Sequence, residues 1–424
     1  MANSGTTKHS EGGASIIDSQ YVQNRCIKIV PASAEGVSAF KIEAPIKGKG
    51  LLRAVIRSDT APDTFRTLQS LTTSRPGHRI TLTDSEFKSL EKLGFFVTPD
   101  KAPQRVAFSC NVSDIPLSLE VGRSNAQCEW RINENTRIES RQESLANATK
   151  LWREVALLGA QEIVWIHDPC RHVTLPYWLN ELEANQVRRL LAGEFTVNEL
   201  DEDAKRKFVD IGLVYTDRSL EVKHRRWTGR FSCARRNLTG RGYAILPDLI
   251  PPTFLESIRQ YYRRLLREGF LVFGDDQATR HNLHNEPFSS WLHYETESLI
   301  SHAIPQPIKC SYSYVAAYTS GATLERHTDR IQCEYTLTLA IDATPTFARS
   351  EAWPLYIHLL DGQTAAVRLG PGDGLIMKGR ELPHFRTALS ENRTSSSLLF
   401  HYVLADFKGP LLANVWTRAE AAPE

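Results

Sequence analysis

Three residues in the last quarter of the sequence have the types and spacing of a metal-binding set. His327 and Asp329 form an H-x-D pair, and His384 follows further along the chain, directly after a proline. In a strand, residues i and i+2 point to the same side, so the pair can present an imidazole and a carboxylate together. Two imidazoles and one carboxylate can bind Fe(II) on one face and leave the other positions open. Because an isolated H-x-D pair is common, the prediction depends on further features of the same region.

An arginine suited to binding a dicarboxylate lies beyond the second histidine. Arg393 follows His384 after eight intervening residues, at the start of a predicted strand. A guanidinium can bind a carboxylate through two charge-assisted hydrogen bonds. Arg386 is the alternative anchor, but its predicted position in a turn makes Arg393 the preferred one.

The predicted strand after Arg393 separates small from large side chains. Ser395 and Ser397 share the face of Arg393, whereas the opposite, core-facing side carries three large residues: Leu398, Phe400 and Tyr402. This alternation predicts a cavity with small walls beside the metal.

The elements that must position these residues are predominantly strands. Six apolar or alternating segments separated by Gly, Pro and Asp turns are predicted as strands: 311–318, 333–342, 353–360, 364–369, 374–379 and 395–404. Short strands at this spacing indicate an antiparallel sandwich or barrel. A strand at 242–246 and an amphipathic helix at 252–266 precede them.

With these motifs, residues 242–404 resemble the prolyl-4-hydroxylase-like branch of the Fe(II)/2-oxoglutarate-dependent dioxygenases. The pattern Y-x8-H-x-D is present as Tyr318, His327 and Asp329, and the pattern H-x8-R as His384 and Arg393. The sequence has arginine where much of the family has lysine. It also has Trp-Pro at 353–354, where family members often have glycines.

The resemblance implies a fold, a site and a set of cofactors. The fold would be a double-stranded β-helix, or jelly roll, with flanking helices, within an α+β protein. Iron would be bound by His327, Asp329 and His384. Arg393 would bind the C5 carboxylate of 2-oxoglutarate, and Tyr318 would donate or accept a hydrogen bond near that co-substrate. O2 would be the second co-substrate.

The chain is long enough for more than one domain. We predict a disordered tail (1–15), an accessory or substrate-recognition region (16–240), the dioxygenase domain (242–412) and a C-terminal tail (413–424). The accessory region is expected to be α+β, with subdomains at 16–121 and 145–217. The eight Lys/Arg residues of 218–241 are interpreted as a basic linker, with binding of nucleic acid or an acidic peptide as the alternative.

Several local patterns support this organisation. A strand is predicted at 51–56, and helices at 84–93, 147–160 and 177–191. The segment 190–200, LLAGEFTVNEL, is similar to the turn and helix of small winged-helix modules that hold leader peptides.

The overall composition is that of a globular, cytoplasmic protein. Hydrophobic residues make up 41% and charged residues 24%, and the formal net charge is +2. The seven cysteines include no C-x-x-C pair, which favours a reducing compartment. No segment reaches the ~18 apolar residues of a membrane span. Nothing in the overall charge therefore favours a membrane or nucleic acid as partner.

The predicted function is hydroxylation of an unactivated C–H bond in an amino-acid residue of a peptide, protein or carrier-bound substrate. The large accessory region favours such a substrate. Oxidation of a free amino acid or a specialised small metabolite, by hydroxylation, desaturation or cyclisation, is the first alternative. A non-catalytic protein that binds peptide or nucleic acid is the second.

Overall fold

The computed structural model describes residues 21–73, 82–115, 129–140, 162–275, 277–346 and 348–411. They form two compact units. The described residues up to Arg105, together with Leu265–Val272, form the first unit, and those of Val106–Arg264 and from Phe273 onward form the second. Within these described ranges, no helix has the length and apolar character needed to cross a lipid bilayer.

The first unit contains a three-stranded antiparallel sheet, ordered β2-β3-β4, two helices and a short strand pair, β1-β5. Its elements are β1 (Val22–Gln23), β2 (Lys28–Ala34), β3 (Val37–Ile46), β4 (Gly50–Arg57), α1 (Pro62–Thr73), α2 (Asp84–Lys92) and β5 (Phe96–Val97). Ile42, Leu68 and Leu90 are fully buried in its core. Strand β4 confirms the strand predicted at 51–56.

Helix α2 also lies where the sequence predicts it. The Thr83 hydroxyl accepts a hydrogen bond from the Glu86 N–H, and the Glu86 carboxylate accepts one from the Thr83 N–H, so the helix begins with a capping box. Gly94 ends it with φ +76°, and a Cβ there would lie 2.8 Å from the Ala44 Cβ. The capping box uses the side chains of Thr83 and Glu86, and the positive φ and close contact at position 94 favour glycine.

Beyond β5 the described chain alternates between strands and helices. The elements are β6 (Trp130–Ile132), β7 (Thr136–Glu139), β8 (Glu162–Asp168), β9 (Val173–Leu179), α3 (Glu181–Leu191), α4 (Glu202–Asp210), β10 (Val214–Thr216), α5 (Asp217–Arg241), β11 (Tyr243–Leu246), α6 (Pro252–Arg267), β12 (Val272–Phe273), β13 (Arg280–His284), α7 (Pro287–Ser301), β14 (Ile308–Tyr318), β15 (Leu324–His327), β16 (Tyr335–Thr344), β17 (Leu355–His358), β18 (Thr364–Val367), β19 (Gly374–Met377), β20 (His384–Arg386) and β21 (Thr394–Leu404).

Two sheets contain the strands that follow α7. A seven-stranded sheet has the order β11-β19-β16-β21-β14-β13-β12, and a four-stranded sheet has the order β15-β20-β17-β18. From β14 to β21 the chain moves repeatedly between the two sheets, which receive four of these eight strands each. All six strands predicted between 311 and 404 are confirmed. The short strands β15 and β20 are additional.

The basic segment 218–241 is a helix rather than the predicted linker. Trp227, Phe231, Ala234 and Leu238 recur at intervals of three and four residues and are buried along one side of α5. The high density of arginine concealed this apolar stripe at the sequence level.

A second correction concerns the helix predicted at 177–191. Residues 177–179 end strand β9, and α3 begins only after Asn180, whose side chain accepts from the Glu183 N–H. Asn180 is a better helix start than the upstream proline because it supplies this acceptor. The helix predicted at 147–160 and the two predicted tails lie outside the described residues. The winged-helix assignment and the domain boundaries stay predictions.

Candidate metal centre

Two neighbouring strands of the four-stranded sheet bring the histidines together. His327 is the last residue of β15 and His384 the first of β20, and their Cα atoms are direct partners in the antiparallel pair. Their ring centroids lie 4.4 Å apart. His384 is buried, whereas the side chain of His327 is 20% exposed. One ring is thus embedded in the protein and the other is open to solvent.

Both imidazoles have a defined tautomer. The Nδ1 atom of His327 lies 2.8 Å from the carbonyl oxygen of Glu325, and that of His384 lies 3.0 Å from the carbonyl oxygen of Leu382. Because a carbonyl oxygen can only accept, each Nδ1 carries the hydrogen. Burial also lowers the pKa of His384, which favours its neutral form. Each Nε2 therefore presents its lone pair, as metal-binding histidines require.

Asp329 completes the group. Its Oδ1 lies 3.8 Å from Nε2 of His327 and 3.7 Å from Nε2 of His384. One ligand atom from each residue lies within 4.8 Å of the others, close enough for a single ion to contact all three. Two neutral nitrogens and one carboxylate oxygen suit Fe(II), so the residues present fit the metal that the sequence predicts.

Gly379 leaves the space that the Asp329 carboxylate occupies. A Cβ at this glycine would lie 2.0 Å from Oδ2 of Asp329 and 2.9 Å from Oγ1 of Thr336. The Asp329 N–H also donates to the Gly379 carbonyl oxygen at 2.9 Å. Any side chain at position 379 would displace the carboxylate.

The second oxygen of Asp329 is held by a neighbouring strand. Thr336 Oγ1 donates to Oδ2 at 2.6 Å, and Nδ1 of His401 lies 3.0 Å from the same hydroxyl. His401 and Gly379 were not predicted from the sequence. His401 lies an even number of residues after Ser395 and Ser397 on β21, so its side chain projects from the same face of the strand. This alternation could have identified it in the sequence.

A small cavity lies between the two sheets. Small side chains of β16 and β21 form part of its walls, and larger side chains complete them: Ala340, Ala343, Ser395 and Ser397 are small, and Asp342, Trp353, Leu369, Pro371 and Arg386 are larger. Arg386 follows His384 by two residues on β20, so both side chains project from the same face of that strand. A cavity lined in part by Ser395 and Ser397 is therefore present, and Arg386 belongs to the strand that also carries His384.

Arg386 enters this cavity against an aromatic ring. Its Nη1 donates to the Trp353 carbonyl oxygen at 2.7 Å, and its guanidinium carbon lies 4.5 Å from the Trp353 ring centroid. Burial lowers the pKa of Arg386 to about 10, which still leaves the side chain charged at neutral pH. A cation in this setting would be stabilised by an anionic ligand.

The acidic side chain that lines the cavity is already paired. Asp342 accepts from Nε of Arg259 at 3.2 Å and from Nε of Arg263 at 2.6 Å, and both arginines belong to helix α6. Its negative charge is thus balanced by two cations. The cavity can still favour an anion.

Two residues, Arg393 and Tyr318, were predicted to contact the co-substrate. Both are close to Ser395, which lines the cavity: Arg393 precedes it by two positions, and Tyr318 is its partner on the neighbouring strand. Arg393 precedes β21, and its Nη1 donates to the Glu351 carbonyl oxygen at 3.0 Å. Arg386, and not Arg393, is among the cavity-lining residues. Tyr318 is buried, pairs with Ser395 across the strands, accepts a hydrogen bond from Arg280 and packs its ring 5.1 Å from that of Trp353. Their roles stay predictions.

Known proteins were compared by sequence and by structure. No family model matches the sequence, and no curated protein matches it. Among solved structures, a prolyl-4-hydroxylase of Pseudomonas putida is similar over 41% of this chain and 97% of its own, with 16% identity and a TM-score of 0.36. A prolyl hydroxylase of Trichoplax adhaerens, solved with a hypoxia inducible factor peptide fragment, is similar over 44% and 93%, with 13% identity and a TM-score of 0.37.

A third similar structure is SnoN, a non-heme alpha ketoglutarate dependent epimerase from nogalamycin biosynthesis. It is similar over 42% of this chain and 83% of its own, with 16% identity and a TM-score of 0.36. SnoN has also been solved with Fe3+ and alpha ketoglutarate.

Proposed function

We propose that this protein is an Fe(II)/2-oxoglutarate-dependent oxygenase. The observation that carries the proposal is the convergence of His327, Asp329 and His384 within 4.8 Å, with the tautomer of both imidazoles fixed by backbone carbonyls. Bound iron, with O2 and 2-oxoglutarate, would supply the oxidising chemistry that hydroxylates an unactivated C–H bond and releases succinate and CO2.

The residues themselves have a positioning role in this proposal. The Nε2 atoms and the Asp329 Oδ1 would bind the metal from one side and leave its other side for ligands. The buried position of His384 excludes water from that side, whereas the partly exposed His327 marks the side open to a substrate. Prior orientation of the ligands removes reorganisation cost from the reaction.

The strand arrangement supports the same proposal. Eight strands divided equally between two antiparallel sheets, with only β17 and β18 following one another in the same sheet, have the order expected of a double-stranded β-helix. In this arrangement the metal ligands come from β15, the loop that follows it, and β20. The cavity with Arg386 lies between the sheets.

The distal carboxylate of 2-oxoglutarate has two candidate partners, and the cavity favours Arg386. Its guanidinium lies among Ser395, Ser397 and Trp353, on the strand face that also presents His384. Arg393, the partner implied by the family motif, instead donates to a backbone carbonyl. We therefore assign the anchor to Arg386 in this proposal.

For the substrate, we propose an amino-acid residue in a peptide, protein or carrier-bound molecule. The support is the length of chain that precedes the strands of the site, which exceeds what a small-molecule hydroxylase needs. A free amino acid or small metabolite is the alternative outcome of the substrate test.

The test begins with metal and co-substrate, without any substrate. The full-length protein is titrated anaerobically with Fe(II) and then with 2-oxoglutarate, and the metal-to-ligand charge-transfer absorption is recorded. We expect a band for the wild type and none for His327→Ala or Asp329→Ala. A wild type with no band, or a triad variant with the wild-type band, would overturn the proposal.

The substrate is then sought by mass. Candidate peptides, carrier-bound amino acids and free amino acids are incubated with the loaded protein and O2, and a gain of one oxygen atom is measured. Turnover only of free amino acids would reject the peptide assignment while leaving the oxygenase assignment intact. A charge-transfer band without succinate formation would favour a non-catalytic binding protein.

A further inference from the structure

Thr336 and His401 form a hydrogen-bonded chain behind the metal ligand Asp329. Thr336 lies on β16, and its Cα is the direct partner of His401 on β21. Thr336 is 2% exposed and His401 6% exposed. The two side chains therefore interact away from solvent, where a hydrogen bond is stronger than at the surface.

The direction of each hydrogen bond follows from the chemistry of the groups. The Thr336 hydroxyl has one hydrogen and contacts both Oδ2 of Asp329, at 2.6 Å, and Nδ1 of His401, at 3.0 Å. A carboxylate can only accept, so the hydroxyl donates to Asp329. It must then accept from His401, whose Nδ1 carries a hydrogen. Hydrogen-bond donation therefore runs in one direction, from His401 to Thr336 and from Thr336 to Asp329.

The surroundings hold His401 in place. Its ring stacks on that of Tyr312 with a centroid distance of 4.3 Å, and the Tyr312 hydroxyl contacts Sγ of Cys333 at 3.2 Å. On the other side of the carboxylate, Gly379 permits the close approach described above. The carboxylate is therefore enclosed by groups that fix its rotation.

We infer that Thr336, oriented by His401, holds Oδ2 of Asp329 so that the carboxylate binds the metal through Oδ1 alone. Oδ1 is the oxygen that lies 3.7 to 3.8 Å from both Nε2 atoms. A carboxylate bound through one oxygen leaves one more metal position open for other ligands. Thr336 and His401 are thus positioning residues, and the inference rests on the proposed iron site.

The test uses metal binding rather than turnover. Co(II) is titrated into the metal-free full-length protein, and the visible absorption gives both the dissociation constant and the coordination of the ion. We expect Thr336→Val to weaken Co(II) binding about 10–100-fold, as loss of an outer hydrogen bond to a ligand does. We also expect weaker absorption, because a freed carboxylate can bind through both oxygens. Thr336→Ser should restore both properties, because it keeps the hydroxyl.

Thr338→Val is the matched control. Thr338 lies two residues further along the same strand and is also buried, and the same exchange there should leave Co(II) affinity unchanged. Thr336→Val with wild-type affinity and spectrum would overturn the inference. A wild type that does not bind Co(II) would instead overturn the proposed metal site, so the two failures are distinguishable.

Thermal unfolding will show whether Thr336→Val folds. If it does not, a second pair of variants, at His401, tests the same inference. His401→Phe removes the donor, whereas an asparagine side chain can present an N–H near the position of Nδ1. We expect His401→Phe to weaken Co(II) binding and His401→Asn to recover most of it. Equal and unimpaired binding by both variants would contradict the inference.

Discussion

The outer and inner faces of strand β21 contact different parts of the molecule. On the outer face, Leu398, Phe400 and Tyr402 are all fully buried. The Phe400 ring lies 5.1 Å from that of His293, and the Tyr402 hydroxyl contacts the Thr296 hydroxyl at 3.2 Å, both on helix α7. This face joins the sheet to a helix.

The inner face of the same strand carries more polar side chains, although Leu399 also belongs to it. Ser395 and Ser397 line the cavity that contains Arg386, and His401 contacts Thr336 behind the metal ligand. Because side chains alternate along a strand, neighbouring residues of β21 serve stability and chemistry separately. Substitutions on the inner side should therefore change binding more than folding, and substitutions on the outer side should do the reverse.

The largest expected effect is at His384, a proposed metal ligand on β20. His384→Ala should reduce metal-dependent succinate formation to background, because it removes one of three ligands. Because His384 is buried, the free energy of unfolding of the metal-free protein should also fall, but by less than the ~2–5 kcal/mol expected for truncating a fully buried leucine. Succinate assays and urea unfolding measure the two quantities.

His358→Ala is the control for this variant. His358 lies on β17 of the same four-stranded sheet and contacts the Thr364 hydroxyl at 2.9 Å. It should retain succinate formation. If His384→Ala remains active, His384 is not needed for the reaction. If both variants lose activity equally, the loss is a general effect of substitutions in this sheet and does not identify a ligand.

The three proposed metal ligands could be selected from the sequence because residue type and spacing define such a set. The strands around them were predictable for the same reason, since alternating apolar residues and Gly/Pro turns are local signals. Strands β15 and β20 were not predicted, because each is only three or four residues long and polar. They nevertheless bring His327 and His384 together.

Other parts of the site depend on contacts that sequence does not encode locally. Gly379 looks like an ordinary glycine at the end of a predicted strand until the Asp329 carboxylate is placed against it. Arg393 was preferred over Arg386 because Arg386 was predicted to lie in a turn, whereas Arg386 belongs to strand β20 and lines the cavity. Non-local packing decides such cases.

On the outer face, truncation should affect stability most. Leu398→Ala should lower the free energy of unfolding by about 2–5 kcal/mol, because it leaves a cavity at a fully buried position. Ser397→Ala, on the inner face one residue away, should cost less than about 1 kcal/mol. Urea unfolding of both variants measures the difference. Equal costs would show that the two faces do not differ as the structure indicates.

A smaller effect separates the two arginines near the cavity. Arg386→Gln should raise the 2-oxoglutarate concentration for half-maximal succinate formation about 10–150-fold, since a charge-assisted hydrogen bond contributes about 1.5–3 kcal/mol. Arg393→Gln is the matched control and should change it little. The reverse result would mean that Arg393, the residue directly before β21, binds the distal carboxylate of 2-oxoglutarate.

The smallest effect concerns pH and the outer face. Burial lowers the pKa of His293 to about 3 in the folded protein, below the value of about 6.5 of an unfolded chain. The unfolded chain therefore takes up a proton that the folded protein does not. The stability present above pH 6.5 is lost as the pH falls toward 3, by up to about 1.4 kcal/mol per pH unit from this residue.

His293→Phe keeps a ring against Phe400 but removes the titrating group, so its stability should fall less steeply between pH 6.5 and 5. Urea unfolding at pH 8, 6.5, 5.5 and 5 measures the slopes, with pH 8 as the internal control because the histidine is neutral there in both states. Parallel slopes for wild type and variant would mean that His293 is protonated in the folded protein. The contact between α7 and the outer face of β21 would then include a buried charge rather than a neutral ring.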